Sequence, residues 1–239
     1  MTADVISLLE KIKELEIFGD YPLYFVGGTA LAYRLGHRVS EDIDIIGIAP
    51  LPHREITEAI TTLGGTRLND ANAMALRLAG LIPDEYLLKF NVDGIKLEFF
   101  AASTPLQNEI VETASILSYK NGKLRMIDLK SIAKLKLAAL LNRKKSRDLF
   151  DFKILLERKV LTKDEILKVA SGTVRDIHSF SAFCAFMKQM QRSEDDEIVY
   201  LDEKNPMPLE WNTIHQQVLS LLSSASRPPV HRCQKDLKH

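Results

Sequence analysis

Residues 23–46, LYFVGGTALAYRLGHRVSEDIDII, decide how this 239-residue chain is read. Leu23–Val26 is a short apolar run suited to a buried strand, and Gly27-Gly28-Thr29 follows as a turn into a helix from Ala30 to about Leu35. Gly36 stops that helix, since glycine enters the left-handed conformation of a C-terminal cap without steric cost. Ile43, Ile45, Ile46 and Ile48 then mark a β-branched strand. Asp42 and Asp44 lie two apart along it, so both side chains leave the same face while Ile43 and Ile45 turn to the core. Adjacent carboxylates repel unless a cation lies between them. A hard cation such as Mg²⁺ answers that need, because it binds one or two carboxylates together with substrate phosphates. Upstream, Gly27 and Gly28 let phosphates approach the backbone, the first helical turn attracts anions, and Thr29 adds a hydroxyl donor. The absence of a following Gly-Lys-Ser or Gly-Lys-Thr separates this turn from a P-loop.

Working outward, residues 4–17 read as an amphipathic helix through Val5, Leu8, Leu9, Ile12 and Leu15, ended by Pro22. His53–Leu63 reads as a helix with Pro52 near its start and Gly64-Gly65 past its end. Three strand-like runs follow, Ala73–Leu78, Tyr86–Val92 and Ile95–Phe100, with Asp93-Gly94 as the two-residue turn of a hairpin. Alternation in the last run puts Lys96, Glu98 and Phe100 on one face. If that strand pairs beside Asp42 and Asp44, three carboxylates converge; otherwise Lys96 and Glu98 form a solvent-facing pair. Beyond about Glu109 the pattern turns helical: Ile127–Leu141, Arg147–Leu156, a helix capped by Thr162 with Glu165 three residues on, Val174–Met190 and Leu209–Leu222. The expected fold is α/β (α+β), a small mixed sheet flanked by helices and followed by a mostly helical C-terminal region. The expected division is a core domain over 1–120, a helical domain over 121–225 that completes the site, and a disordered tail over 226–239.

Charge is uneven along a chain of zero formal net charge. Residues 1–120 carry 10 basic against 17 acidic residues, whereas 121–160 carry 12 against 4, a footprint suited to phosphates. Within that block Lys136, Leu140 and Arg143 share one side of a helix, and Asp148 and Asp151 share a face of the next, where Arg147 can pair with Asp151. Hydrophobic residues make up 46% and charged residues 27%, which excludes a disordered or collagen-like chain. The apolar stretches fall short of the roughly 18 residues a membrane span needs. Two cysteines, Cys184 and Cys233, are no disulfide framework, so the expected compartment is the reducing cytoplasm. His178, His215 and His231 have no metal-ligand spacing, and Trp211 and the Phe180–Phe186 cluster read as core.

The combination of Gly-Gly-Thr, twelve intervening residues, Asp42-Ile43-Asp44 and a later Glu98 resembles the DNA polymerase beta-type nucleotidyltransferase superfamily. With KLKLAALLNRKKSRDLFDF (residues 134–152), it resembles more narrowly the AbiEii/AbiGii-type toxin nucleotidyltransferases of bacterial toxin–antitoxin and phage-defence systems. The resemblance implies a nucleotidyltransferase core in which Asp42, Asp44 and Glu98 hold Mg²⁺ or Mn²⁺. The third carboxylate of that superfamily is often Asp, and Glu98 is one methylene longer. It also implies that Gly27, Gly28, Thr29, Arg38, Ser40, Lys136 and Arg143 bind the nucleotide and that Lys136 and Asp151 belong to the active site. There Asp151 either orients Lys136 or acts as base on the acceptor hydroxyl, and His37, Arg38 and Ser40 either touch the triphosphate or order their loop. The implied reaction moves an NMP from an NTP to a hydroxyl, with a tRNA 3′ end as first expectation and a protein or small-molecule acceptor of the aminoglycoside type as alternatives. A non-catalytic nucleotide- or RNA-binding role, or helices that dock a cognate antitoxin, are the readings from other classes.

Overall fold

The computed structural model describes residues 1–70, 73–196, 201 and 210–225. The chain opens with helix α1 (Ala3–Ile12), capped by Thr2 and burying Val5, Leu8, Leu9 and Ile12, and a short helical turn α2 (Ile17–Asp20). The expected single helix over 4–17 therefore ends early. Strand β1 (Tyr24–Val26) runs into α3 (Gly27–Leu35), which Gly36 closes in the left-handed conformation. Strand β2 (Ile43–Ile48) and α4 (His53–Thr62) follow as expected.

A short strand β3 (Thr66–Arg67) comes next, and α5 (Ala73–Leu78) stands where a strand was expected. The six residues Ala-Met-Ala-Leu-Arg-Leu include no β-branched or aromatic side chain, and all favour a helix. Strands β4 (Leu87–Val92) and β5 (Ile95–Ala102) form the hairpin, its turn residues Asp93 and Gly94 both at positive φ. Helix α6 (Pro105–Glu112) is followed by strands β6 (Ile116–Ser118) and β7 (Arg125–Ile127), where helix was expected. The boundary expected at residue 120 falls inside the turn of that hairpin, so the sheet continues to Ile127.

Helix α7 (Leu129–Arg143) begins two residues later than expected because Asp128 caps it, accepting from the Ser131 backbone N–H. It is followed by α8 (Ser146–Glu157), α9 (Lys163–Thr173) with the full Thr162–Glu165 capping box, α10 (Phe180–Gln189) and α11 (Trp211–Ala225). Ser179 caps α10, so the expected helix from Val174 starts later. Pro206, Pro208, His231, Cys233 and the expected tail over 226–239 lie outside the described residues.

The mixed sheet has the order β3-β4-β5-β2-β1-β7-β6. β2 is central, parallel to β5 and antiparallel to β1, and Asp44 sits in register with Glu98 on one side and Val26 on the other. The sheet thus delivers the end of β1, the start of β2 and the middle of β5 to one place, and α7 packs over α3 beside them. Among the described residues no helix is long and apolar enough to cross a membrane.

Candidate active site

Gly27 is where the sheet and the site meet. Its φ is +77°, and a Cβ added there would lie 2.0 Å from Asp44 Oδ2, so the absent side chain lets the backbone press against this carboxylate. Glu98 is the direct partner of Asp44 on β5. The Lys96 ammonium lies 3.1 Å from Glu98 and 3.9 Å from Asp42. Burial and the Glu98 carboxylate push the pKa of Asp44 up, with Asp42 adding to the effect, while Lys136 and Lys96 partly offset it. Burial opposes the charge of Lys96, but Glu98 and Asp42 outweigh it and raise its pKa above the usual lysine value. The expected Lys96–Glu98 pair is thus present, and β5 sets Glu98 beside Asp44 as its strand partner.

The loop between α3 and β2 is held from below. Thr29 is fully buried; its hydroxyl donates to the Asp42 carbonyl and lies 2.9 Å from Ser40 Oγ, from which it can accept. That oxygen was expected at the triphosphate; here it fixes the approach to β2. A Cβ on Gly28 would lie 2.6 Å from the Arg38 guanidinium and 2.9 Å from Ser40 Oγ. Gly28 thus makes room for those side chains, where an open phosphate cradle was expected.

Arg38, also expected at the nucleotide, is buried and donates through Nε and Nη2 to the two oxygens of Asp151 at 2.7 and 3.0 Å. His37 Nε2 lies 2.7 Å from the same carboxylate, with its ring stacked on Phe150. Lys136, buried on α7, reaches Asp151 at 2.9 Å and Asp148 at 3.4 Å. Asp148 also accepts from Arg143 at 3.0 Å. Asp148 and Asp151 are fully buried, so a helix face read as a salt-bridged surface is an internal ion network. Burial would raise the Asp151 pKa, but Arg38 and Lys136 with the His37 contact hold it well below the usual carboxylate range.

Asp44, Glu98, Gly27, Lys136 and Arg143 line one cavity of about 500 Å³. Lys136 and Arg143 are the members of the basic block that line it, whereas Lys123, Lys130 and Lys153 pair with Glu16, Glu165 and Glu157 elsewhere. His215 is a buried structural group whose Nε2 lies 2.6 Å from the Met187 carbonyl. The contacts of Asp148 with Lys136 and Arg143 were not foreseen; their signal was the spacing of one turn between Asp148 and Asp151. Among the described residues no three His, Cys, Asp or Glu side chains form a ready-made metal cage. The donor set still suits a hard cation: all oxygen, crowded enough to raise Asp44, and contacted by a lysine ammonium that balances the charge.

The family model described as nucleotidyl transferase AbiEii toxin of type IV toxin–antitoxin systems matches residues 14–227. The chain belongs to the AbiEii family. Membership makes it a nucleotidyltransferase with an NTP as substrate and an antitoxin as counterpart. An uncharacterised protein of Aquifex aeolicus is 29% identical over 197 residues, covering 81% of this chain and 84% of that protein. Two solved structures share the fold. The nucleotidyltransferase toxin MenT4 of Mycobacterium tuberculosis is 15% identical with a TM-score of 0.50, covering 87% of this chain and 76% of that one. The antibiotic-resistance factor ANT(2'')-Ia is 15% identical with a TM-score of 0.50, covering 79% of this chain and 97% of that one.

Proposed function

We propose that this AbiEii-family protein is a Mg²⁺-dependent nucleotidyltransferase that moves an NMP from an NTP to the 3′-hydroxyl of a tRNA, acting in the cytoplasm as the toxin of a toxin–antitoxin pair. The observation that carries the reading is the register match of Asp44 with Glu98, in a cavity shared with Gly27, Lys136 and Arg143. Asp42, Asp44 and Glu98 would hold the cation, Mn²⁺ being the alternative ion. When bound, it neutralises triphosphate charge and makes the attacking hydroxyl more acidic.

The chain's own residues do the rest. Lys136 and Arg143 attract the phosphates and offset the charge that builds on the leaving pyrophosphate. The two carboxylates on α8 aim those cations: Asp151 fixes Lys136, and Asp148 fixes Lys136 and Arg143 together. Asp151 is a positioning residue, because its carboxylate is taken up by His37, Arg38 and Lys136 and none of its surface is exposed. Arg38, Ser40 and Thr29 hold the loop that leads into Asp42 and Asp44. Gly27 and the start of α3 bring backbone N–H groups beside the carboxylates. The cationic surplus of residues 121–160 supports an RNA acceptor, since phosphate contacts give sequence-tolerant, salt-sensitive affinity.

The test is incubation of the purified protein with Mg²⁺, each α-³²P-labelled NTP and total bacterial RNA, with Asp44→Ala as control. Label on tRNA-sized RNA from the wild type alone is expected. Label on protein, or on an aminoglycoside added in a parallel reaction, would move the acceptor assignment. NTP binding with no label on any acceptor would favour a non-catalytic role.

A further inference from the structure

We infer that Gln107 selects the base of the substrate nucleotide by donating from its carboxamide N–H₂ to the exocyclic carbonyl oxygen O4 of uracil or O6 of guanine, favouring UTP and GTP over CTP and ATP. The inference rests on the proposed nucleotide site and adds its specificity.

The cavity is chemically divided. Lys136 and Arg143 are its cationic members, while Phe100, Leu87, Ile132 and Leu135 make an apolar wall. On β5, Phe100 lies two residues beyond Glu98 on the same face, about 7 Å further along the strand. On α7, Ile132 lies about one turn before Lys136 and on the same side. A triphosphate drawn to Lys136 and Arg143 therefore leaves its nucleoside along the wall of Phe100, Ile132 and Leu135. Sites of this kind use apolar walls for contact area and a few polar groups for choice.

Gln107 and Ser103 line the cavity from the end of β5 and the first turn of α6, with Asp70, Tyr86 and Asn142 as its other uncharged or acidic polar members beside the carboxylates. The orientation of the Gln107 amide follows from its partners. The Ser103 main-chain N–H can only donate, and it lies 2.9 Å from Oε1, with the Ser103 hydroxyl 3.2 Å from the same oxygen. Oε1 is engaged, and Nε2 makes no hydrogen bond among the described residues. The free end is thus a pure donor. Uracil O4 and guanine O6 are carbonyl oxygens at the edge where cytosine and adenine carry an amino group. A donor placed against that amino group leaves both unpaired, and a missed polar pair in a site is where large discrimination arises.

A capping role competes with this one, because Gln107 stands three residues after the N-cap Thr104 of α6. Gln107→Glu separates the two: the carboxylate still accepts from Ser103, while the donors are gone. Calorimetric binding of Mg²⁺ with each of the four NTPs to the full-length protein reads selectivity without any acceptor. Wild type is expected to bind ATP and CTP at least tenfold more weakly than the better of GTP and UTP. Gln107→Glu is expected to cut that preference at least tenfold with an unchanged melting temperature. Equal affinity of wild type for all four NTPs, or a preference unmoved in Gln107→Glu, would overturn the assignment. In either case NTP binding would leave the nucleotide site itself standing. No binding of any NTP by wild type would overturn both.

Discussion

Asp151 and Arg38 are separated by 113 residues of chain and by 2.7 Å between the Oδ1 and Nε atoms. With Lys136 and His37 on the same carboxylate, this contact ties the loop before β2 to helices α7 and α8. Asp151→Asn would leave Arg38 and Lys136 buried without the charge that balances them. Breaking one side of such a pair costs about 3–5 kcal/mol. Urea unfolding should show a loss of that size, and NTP affinity should fall with it, because the loop and Lys136 lose a common anchor. A variant with wild-type stability would show that the network carries no weight.

The same network sets the acid limit. Burial raises the Asp151 pKa, but the charges of Arg38 and Lys136 prevail and hold it well below its ordinary value. A lowered carboxylate contributes stability that is complete above its unfolded value of about 3.9 and disappears as the pH falls toward its folded value. Unfolding free energy should therefore drop steeply below about pH 4 in wild type. Asp128, lowered by its bonds to Ser131 and Ser115 against the effect of burial, adds to that slope. In Asp151→Asn the slope should be shallower, and equal slopes in the two proteins would remove Asp151 from the account.

Asp44 has the opposite sign. Burial and Glu98 raise its pKa, so its charge is held against its surroundings at neutral pH. Asp44→Asn relieves that repulsion. The variant should melt at or above the wild-type temperature without added divalent cation, yet lose at least about a hundredfold in transfer rate. Calorimetric melting and the labelling assay together check it. A large fall in melting temperature would mean that Asp44 belongs to the scaffold.

What could be read in advance followed from how local each signal is. Isoleucines at 43, 45 and 46 specify a buried strand and its register, and Gly36 carries the positive φ its position suggested. Asp93-Gly94 specified the hairpin for the same local reason. The short strands β3, β6 and β7 span two or three residues each, too few to establish a period, and exist because a partner strand is beside them. At the site, the carboxylate pattern was visible along the chain. The destination of Arg38 was not, because Asp151 comes to it from α8 by tertiary packing alone. Thr29 likewise had a hydroxyl suited to phosphate, and only the folded loop shows it turned to the Asp42 carbonyl.

Two glycines with similar backbones separate conformational cost from site geometry. Gly27 and Gly36 have φ of +77° and +60°, so alanine at either position carries a comparable left-handed penalty of roughly 1–2 kcal/mol. Their surroundings differ. A Cβ at Gly36 meets nothing within 4 Å, whereas one at Gly27 would overlap Asp44 at 2.0 Å. Gly36→Ala should lose about that penalty in stability and keep its transfer rate. Gly27→Ala should lose more stability and nearly all activity, since the methyl group must push Asp44 out of register with Glu98. Denaturant unfolding and labelling rates on both variants make the comparison. Equal activity in the two would mean that the close approach of Gly27 to Asp44 has no part in the chemistry.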